Sequence, residues 1–79
     1  MAPVVIVTGG SRGIGAATAR LAAQRGYDVC VNFVRNREAA ESVVADCRAS
    51  GVRAIFVQAD VAREEDVVRL FRTVDEQLG

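Results

Sequence analysis

The 79-residue sequence predicts an α/β fold in which three parallel β-strands alternate with three helices. Two observations support this prediction. Three short runs rich in valine, isoleucine and phenylalanine are each followed by a segment whose apolar residues recur at helical spacing. The connections between these segments are short, and a glycine stands where each of the first two helices should end. Alternation of this kind is typical of a parallel sheet with right-handed crossovers.

The first strand is predicted at Val4–Val7, where every residue is apolar and β-branched. An uninterrupted apolar run indicates a strand that is buried on both faces. The first helix should span residues 13–25 and end at Gly26. One side of this helix carries Ile14, Thr18, Leu21, Ala22 and Arg25. The helix also contains small residues that should let it lie close to a sheet, namely Ala16, Ala17, Ala19, Ala22 and Ala23.

The second strand is predicted at Asp28–Phe33 and the third at residues 53–59. Between them, a helix over Arg37–Ala49 should end at Gly51 and turn Ala40, Val43, Val44 and Cys47 inward. The last helix is predicted over residues 63–78, with Val67, Leu70, Phe71, Val74 and Leu78 at helical spacing. We expect the strand order 3-2-1, helices on both faces of the sheet, and a ligand at the carboxyl ends of the strands.

The composition argues against several classes of protein. Ten arginines balance ten acidic residues, so the chain has no net charge with which to recruit nucleic acid or an anionic membrane. No apolar run approaches the roughly 20 residues of a membrane helix. The first strand follows Met1 almost directly with no basic leader, which makes a cytoplasmic location the expectation. Cys30 and Cys47 lack metal-site spacing and no histidine accompanies them, so we expect buried thiols and no metal.

A glycine cluster, Thr8-Gly9-Gly10-Ser11-Arg12-Gly13-Ile14-Gly15, stands between the first strand and the first helix. Glycine accepts positive φ and lets the backbone approach a ligand closely, and the N–H groups at a helix start favour an anion. A turn without a ligand is the alternative, but the strand-turn-helix context favours a nucleotide-phosphate site. The spacing does not fit a P-loop, because Ala16 follows Gly15 and the chain contains no lysine. It also departs from GxGxxG, because Thr18 replaces the third glycine.

The TGxxxGxG spacing of Thr8, Gly9, Gly13 and Gly15 resembles the cofactor turn of the short-chain dehydrogenase/reductase family. The resemblance extends from residue 3 to residue 79. It implies the N-terminal part of a Rossmann NAD(P)-binding domain, without the catalytic half. It also implies that the turn binds the dinucleotide through Gly9, Ser11, Arg12, Gly13, Ile14 and Gly15.

The end of the second strand bears on the choice between NAD and NADP. An NAD site places an acid about 20 residues after the glycines for the ribose 2′-OH, whereas an NADP site needs a cation and no acid there. Here Asn32 is followed by Arg35 and Arg37, and the first carboxylate is Glu38. Together with Arg12 in the turn, these arginines predict NADP rather than NAD. Solvated loop charges are the alternative for either one alone, and which of Arg35 and Arg37 contacts the 2′-phosphate stays open.

Asp60 and Val61 follow the third strand. The resemblance implies that Asp60 accepts a hydrogen bond from the adenine amino group and that the adjacent backbone holds the ring. An acid at a helix N-terminus is the alternative.

Asn32 either faces the adenosine pocket or closes its strand. Ala62 occupies the position of a usual Ser or Thr cap, so the last helix is expected to start loosely. Helix-face charges interpreted as solvated are Arg20, Glu41, Asp46 and Asp66.

The resemblance implies that the catalytic serine and the Tyr-x-x-x-Lys pair would lie beyond residue 79, and a chain without lysine cannot contain that pair. We therefore expect no catalytic residue here. The favoured hypothesis is the cofactor-binding segment of an NADP-dependent oxidoreductase acting on a carbonyl or alcohol, homo-oligomeric when intact. A nucleotide-sensing module without chemistry is one alternative. A Rossmann methyltransferase is another, disfavoured because no acid ends the second strand. The outer edge of the first strand predicts a pairing partner from outside these residues.

Overall fold

The computed structural model describes residues 3–9 and 13–79 of the chain. The elements, in chain order, are β1 (Val4–Val7), α1 (Gly13–Gln24), β2 (Asp28–Phe33), α2 (Arg37–Ala49), β3 (Ala54–Gln58) and α3 (Glu64–Leu78). All six elements expected from the sequence are therefore confirmed. Four ends differ from the expectation by one residue: α1 ends earlier, β3 is shorter at both ends and α3 begins later.

The three strands form one parallel sheet in the order β1-β2-β3, which confirms the predicted order. β2 lies in the centre, with Val29 opposite Val5 of β1 and Val31 opposite Phe56 of β3. Every residue of β2 is buried, whereas most residues of the two outer strands are only partly buried. Within residues 3–9 and 13–79, β1 pairs with β2 alone. A partner for its outer edge stays a prediction.

Helices cover both faces of the sheet, as expected. α1 and α2 pack on one face, against Val29, Val31 and Phe33 of β2. α3 packs on the other face, in a cluster formed by Cys30, Val57, Ala59, Leu70, Val74 and Leu78. Alternate residues of β2 thus serve opposite layers, which is the two-residue period of a strand. The inner stripe predicted for α2 is confirmed, since all four of its residues are buried.

α1 turns its alanines towards the sheet rather than its larger apolar residues. The buried residues of α1 are Ala16, Ala19 and Ala23. Ile14 is 88% exposed and Leu21 is 51% exposed, so the side that these two residues share is the outer side. The small inner side chains allow close packing, and the Cys47 thiol of α2 donates to the carbonyl oxygen of Ala19 at 3.5 Å.

α3 buries only part of its apolar stripe, since Phe71 is 54% exposed. Its first turn carries three acidic residues, which suit the positive end of the helix dipole. The side chain of the N-cap residue, Arg63, makes no capping hydrogen bond, in agreement with the start expected from Ala62. No helix of the described chain has the length and apolarity needed to cross a membrane.

Both cysteines are buried free thiols, as predicted. Burial raises the pKa of the Cys30 thiol to about 11, and it also raises the pKa of the Cys47 thiol. Since the thiolate is the reactive form, neither side chain is a nucleophile at neutral pH.

An ion pair closes the amino end of the sheet. Asp28 is buried, and its carboxylate accepts hydrogen bonds from the Arg53 backbone N–H and from Arg53 Nε, both at 2.9 Å. Arg53 Nη2 donates to the carbonyl oxygen of Leu78, also at 2.9 Å. Burial raises the pKa of Asp28, but the hydrogen bonds and charge of Arg53 together outweigh it, and the pKa lies below its ordinary value of 3.8. This contact joins β2, the start of β3 and the end of α3.

Replacing Asp28 with asparagine should destabilise the protein at neutral pH by about 1.5–3 kcal/mol, the range for hydrogen bonds to charged groups. Because the pKa of Asp28 is lowered by folding, its stabilisation is present above about pH 4 and is lost as the pH falls through the folded-state pKa. The Asp28→Asn variant should therefore lose less stability on acidification than the parent. Thermal unfolding followed by circular dichroism between pH 7 and about pH 3 measures both effects.

Asp46→Asn is the matched control, because Asp46 pairs with Arg20 at 2.8 Å on the exposed surface. An exposed pair of this kind contributes less than about 1 kcal/mol. Equal losses of stability in the Asp28→Asn and Asp46→Asn variants would show that the buried contact does not hold the sheet together.

Candidate functional site

The carboxyl ends of the three strands lie at one edge of the sheet because the strands are parallel. The turn after β1 begins with Thr8 and Gly9, the loop after β2 begins with Val34, and Asp60 lies just beyond β3. Each described residue that is predicted as a cofactor contact lies at this edge or in the adjoining turn. The parallel sheet thus brings together three segments that are far apart in the sequence.

The turn after β1 has the backbone conformation that requires glycine. Gly9 and Gly13 each have a φ of 63°, in the left-handed region that other residues rarely adopt. Gly13 is also the first residue of α1, whose first turn carries no acidic residue to occupy its positive end. Ser11 and Arg12, two of the predicted contacts, lie outside the described residues.

Ile14 and Gly15 complete the predicted turn contacts at the start of α1. The Ile14 side chain projects into solvent from the first turn of the helix. Gly15 is partly buried and its φ is not positive. The absence of a side chain, rather than an unusual backbone angle, is therefore what Gly15 offers a ligand.

Asn32 links the three strand ends through its side-chain amide. Its Nδ2 donates to the carbonyl oxygens of Ala59 at 2.9 Å and Val57 at 3.3 Å. Its Oδ1 accepts from the backbone N–H of Gly9 at 3.4 Å. The side chain is buried, and these bonds satisfy both of its polar ends within the protein. Contact between Asn32 and a cofactor stays a prediction.

The loop after β2 exposes two guanidinium groups. Arg37, the first residue of α2, donates from Nε to Glu41 Oε1 at 2.9 Å, and its guanidinium carbon lies 5.2 Å from the centre of the Phe56 ring. Arg35 is exposed, and no carboxylate of the described chain lies within ion-pair distance of it. The loop is held to β3 by Gln58 Nε2, which donates to the carbonyl oxygen of Val34 at 3.3 Å.

Asp60 is partly buried in a turn four residues before α3 begins. Its Oδ1 accepts from the backbone N–H of Ala62 at 3.0 Å. Its own N–H donates to Asp66 Oδ2 at 2.8 Å. The Asp66 carboxylate thus fixes the end of β3, and the interpretation of Asp66 as a solvated surface charge is wrong. Val61 is 48% exposed beside this turn. Neither the hydrogen bonds of Asp60 nor the exposure of Val61 tests contact with adenine.

One depression of the surface lies outside the predicted site. A shallow depression of about 560 Å³ on the outer face of α3 is lined by Val67, Val68, Phe71, Arg72, Asp75 and Glu76. It contains none of the predicted site residues and borders the uncovered part of the α3 stripe.

Among residues 3–9 and 13–79, no three side chains of the usual metal-ligating types converge on one point.

Sequence reasoning missed three contacts that shape this edge. Asp66 holds Asp60, Phe56 lies against Arg37, and Asn32 bonds to two other strand ends. The residue types offer a signal only for the last of these, since a buried amide in an otherwise apolar strand must find hydrogen-bond partners. The other two depend on how neighbouring elements are placed.

Comparison with known proteins gives a match to the family model described as short chain dehydrogenase, over residues 3–79. The chain is 47% identical over 73 residues to an uncharacterised oxidoreductase of Escherichia coli, covering 92% of this chain and 30% of that protein. It is 46% identical over 76 residues to a versicolorin reductase of Emericella nidulans, covering 96% and 29% respectively. It is 40% identical over 79 residues to a 3-oxoacyl-[acyl-carrier-protein] reductase of Staphylococcus aureus, covering 100% and 32%.

Solved structures of similar fold include a short-chain dehydrogenase/reductase from Burkholderia xenovorans, with a TM-score of 0.91 and 36% identity. That match covers 95% of this chain and 31% of the other. An acetoin dehydrogenase from Enterobacter cloacae matches with a TM-score of 0.89 and 27% identity, over 98% of this chain and 31% of the other. The chain thus spans about three tenths of the length of the relatives that it matches.

Proposed function

Because the chain belongs to the short-chain dehydrogenase family, we propose that residues 1–79 are the N-terminal cofactor-binding part of an NADP-dependent oxidoreductase. The reaction is hydride transfer between the nicotinamide and a carbonyl or alcohol. The relatives described above include two reductases and a dehydrogenase, in agreement with this class of reaction. We call the longer protein that this proposal implies the intact enzyme.

The observation that carries the proposal is the left-handed glycine turn between β1 and α1. Gly9 and Gly13 leave the backbone open to close approach, and α1 presents a helix N-terminus without an acidic side chain. A pyrophosphate suits this position, because its charge is stabilised by the N–H groups and dipole of the helix. In the proposal Gly9, Ser11, Arg12, Gly13, Ile14 and Gly15 surround it.

NADP is favoured over NAD by the charges at the end of β2. No acid stands between Phe33 and Glu38, so no carboxylate there can accept the hydrogen bond that the ribose 2′-OH donates in NAD sites. Of the two loop arginines, Arg35 is the better candidate for the 2′-phosphate, because Arg37 is already engaged with Glu41 and Phe56. A guanidinium can donate two parallel hydrogen bonds to a phosphate.

The adenine is assigned to the segment after β3. Asp60 Oδ2 makes no hydrogen bond among the described residues and is an acceptor for the adenine amino group. Val61, half-exposed, supplies apolar surface beside the ring. Asn32, buried between the strand ends, bounds the pocket from the sheet.

The catalytic residues of the reaction are proposed to lie outside this segment, which has no lysine and so no Tyr-x-x-x-Lys pair. The position of α3 supports a continuation of the sheet. α1 and α2 share one face and α3 lies on the other, so a right-handed crossover after α3 would place a further parallel strand against the free edge of β1. The intact enzyme is expected to be cytoplasmic and homo-oligomeric.

Two alternative functions would give different results in a binding and turnover experiment. A cofactor-sensing module without chemistry would bind NADPH and oxidise none of it. A Rossmann methyltransferase would bind S-adenosylmethionine through an acid at the end of β2, which this chain lacks. The decisive test is to incubate the intact enzyme with NADPH and a panel of ketones and aldehydes, and to follow the loss of NADPH absorbance. Turnover of a carbonyl supports the proposal, binding without turnover supports the sensing module, and binding of S-adenosylmethionine alone overturns it.

A further inference from the structure

Among the described residues, the side-chain amide of Asn32 is the one hydrogen-bonded link between the turn after β1 and the end of β3. β1 and β3 lie on opposite sides of β2, so their backbones do not pair. The amide crosses this gap, accepting from Gly9 N–H at 3.4 Å and donating to Ala59 O at 2.9 Å. We propose that Asn32 is a positioning residue, which fixes the distance between the pyrophosphate turn and the adenine segment. This inference rests on the proposed function.

The chemistry of the contact requires an amide at this position. Two carbonyl oxygens, of Val57 and Ala59, need donors, and the Gly9 N–H needs an acceptor. Only asparagine, with one carbonyl and one NH₂ group, supplies both from a short side chain. The assignment of Nδ2 and Oδ1 follows from these partners, since the reversed amide would face carbonyl with carbonyl and N–H with N–H.

The two segments that Asn32 joins differ in how well they are otherwise held. The end of β3 has several further hydrogen bonds, among them those from Ala59 N–H to Phe33 O at 3.0 Å and from Asp60 N–H to Asp66 Oδ2 at 2.8 Å. Within the described residues, the backbone N–H of Gly9 has one hydrogen-bond acceptor, Asn32 Oδ1. Removing the amide should therefore leave the adenine segment in place and free the turn to shift relative to it.

A shift of this kind matters only to a ligand that reaches both segments. NADPH binds through its adenine and its pyrophosphate together, and its affinity depends on the two subsites being correctly spaced. Adenosine 2′-monophosphate (2′-AMP) carries the adenine and the 2′-phosphate but no pyrophosphate. Comparing these two ligands separates the spacing of the subsites from the integrity of either one.

The test uses the Asn32→Ala and Asn32→Leu variants of the intact enzyme, far below their melting temperatures. NADPH binding is measured by its fluorescence, and 2′-AMP binding by competition with NADPH. Both variants should bind NADPH about tenfold more weakly and 2′-AMP within about twofold of the parent. Asn32→Leu has a side chain of similar shape, adds no charge near the 2′-phosphate and lacks both the donors and the acceptor, and it serves if Asn32→Ala does not fold. With a carbonyl substrate, the KM for NADPH should rise while kcat stays near the parent value.

Val44→Ala is the matched control, because Val44 is buried on the inner face of α2 and its truncation lowers stability through a cavity. It should leave both affinities unchanged. Equal losses of affinity for NADPH and 2′-AMP in the Asn32 variants would overturn the positioning role, and so would no loss for NADPH. A parent enzyme that binds no NADPH would instead overturn the proposed function.

Discussion

Replacing Gly13 with valine should abolish NADPH binding, with a loss of affinity of at least about a hundredfold. Gly13 has a φ of 63°, where a β-branched residue is strongly disfavoured, so the turn must change conformation or carry strain of about 1–3 kcal/mol. The new side chain would also occupy space that a pyrophosphate approaches at the start of α1. Titration of the folded variant with NADPH, monitored by fluorescence, measures the effect.

Gly51→Val is the control for backbone strain. Gly51 ends α2 with a φ of 93°, and a Cβ there, as at Gly13, would meet no described atom within 4 Å beyond its immediate neighbours. It lies at the amino end of β3, opposite the candidate site. The Gly51→Val variant should lose stability but retain NADPH affinity. If the Gly13→Val variant is folded and titrates like the parent, the glycine turn serves packing alone.

Gly15→Val should also impair binding, but for a single reason. Gly15 lies within the first turn of α1 and does not have a positive φ, so valine would not strain its backbone in the same way. Any loss of affinity at this position would come from the bulk of the side chain near the ligand. The loss is therefore expected to be smaller than that of Gly13→Val.

Arg35→Ala should weaken NADPH binding by about 1.5–3 kcal/mol, the range for a charge-assisted hydrogen bond, and leave NADH affinity nearly unchanged. The expected selectivity follows from the 2′-phosphate, which only NADPH carries. Arg37→Ala should have a smaller effect, because the Arg37 guanidinium is held by Glu41 Oε1 and the Phe56 ring. Affinities for both cofactors, measured at one salt concentration, test the two arginines side by side.

Arg25→Ala provides the control for a lost positive charge. Arg25 is exposed just beyond the end of α1, near the amino end of the sheet. Its removal should leave the ratio of NADPH to NADH affinity unchanged. An Arg35→Ala variant with the parent's ratio would exclude Arg35 as the 2′-phosphate ligand, and a large effect of Arg37→Ala would transfer that role to Arg37.

The fold was predictable because each of its signals is local. The apolar run at Val4–Val7, the helical periods and the helix-ending glycines depend on neighbouring residues alone. The inner face of α1 was predicted in part. Small residues were expected to let α1 lie close to the sheet, and Ala16, Ala19 and Ala23 are buried there, but Ala17 is exposed. The large residues Ile14 and Leu21 lie on the outer side, because a helix this close to the sheet leaves little room for large side chains.

The candidate site, like the fold, was predictable only where its signals are local. That the glycine turn, Arg35 and Asp60 lie at one edge could be predicted from the order of the elements, because parallel strands bring their carboxyl ends together, and their contacts with a cofactor stay predictions. The roles of Asp66 and Phe56 were not found, since each contacts a residue of a different segment across the fold. Asn32 was left undecided between a pocket residue and a strand end. Of its three hydrogen-bond partners, Val57 lies in β3, whereas Gly9 and Ala59 follow β1 and β3, and no local pattern encodes their meeting.

An NADP site in this segment is tested most directly by the affinity of the intact enzyme for NADPH and NADH, measured by fluorescence titration in the same buffer. We expect NADPH to bind at least about tenfold more tightly, because its 2′-phosphate meets arginine and no carboxylate at the end of β2. Equal affinities, or tighter binding of NADH, would contradict the assignment of an NADP site to this segment.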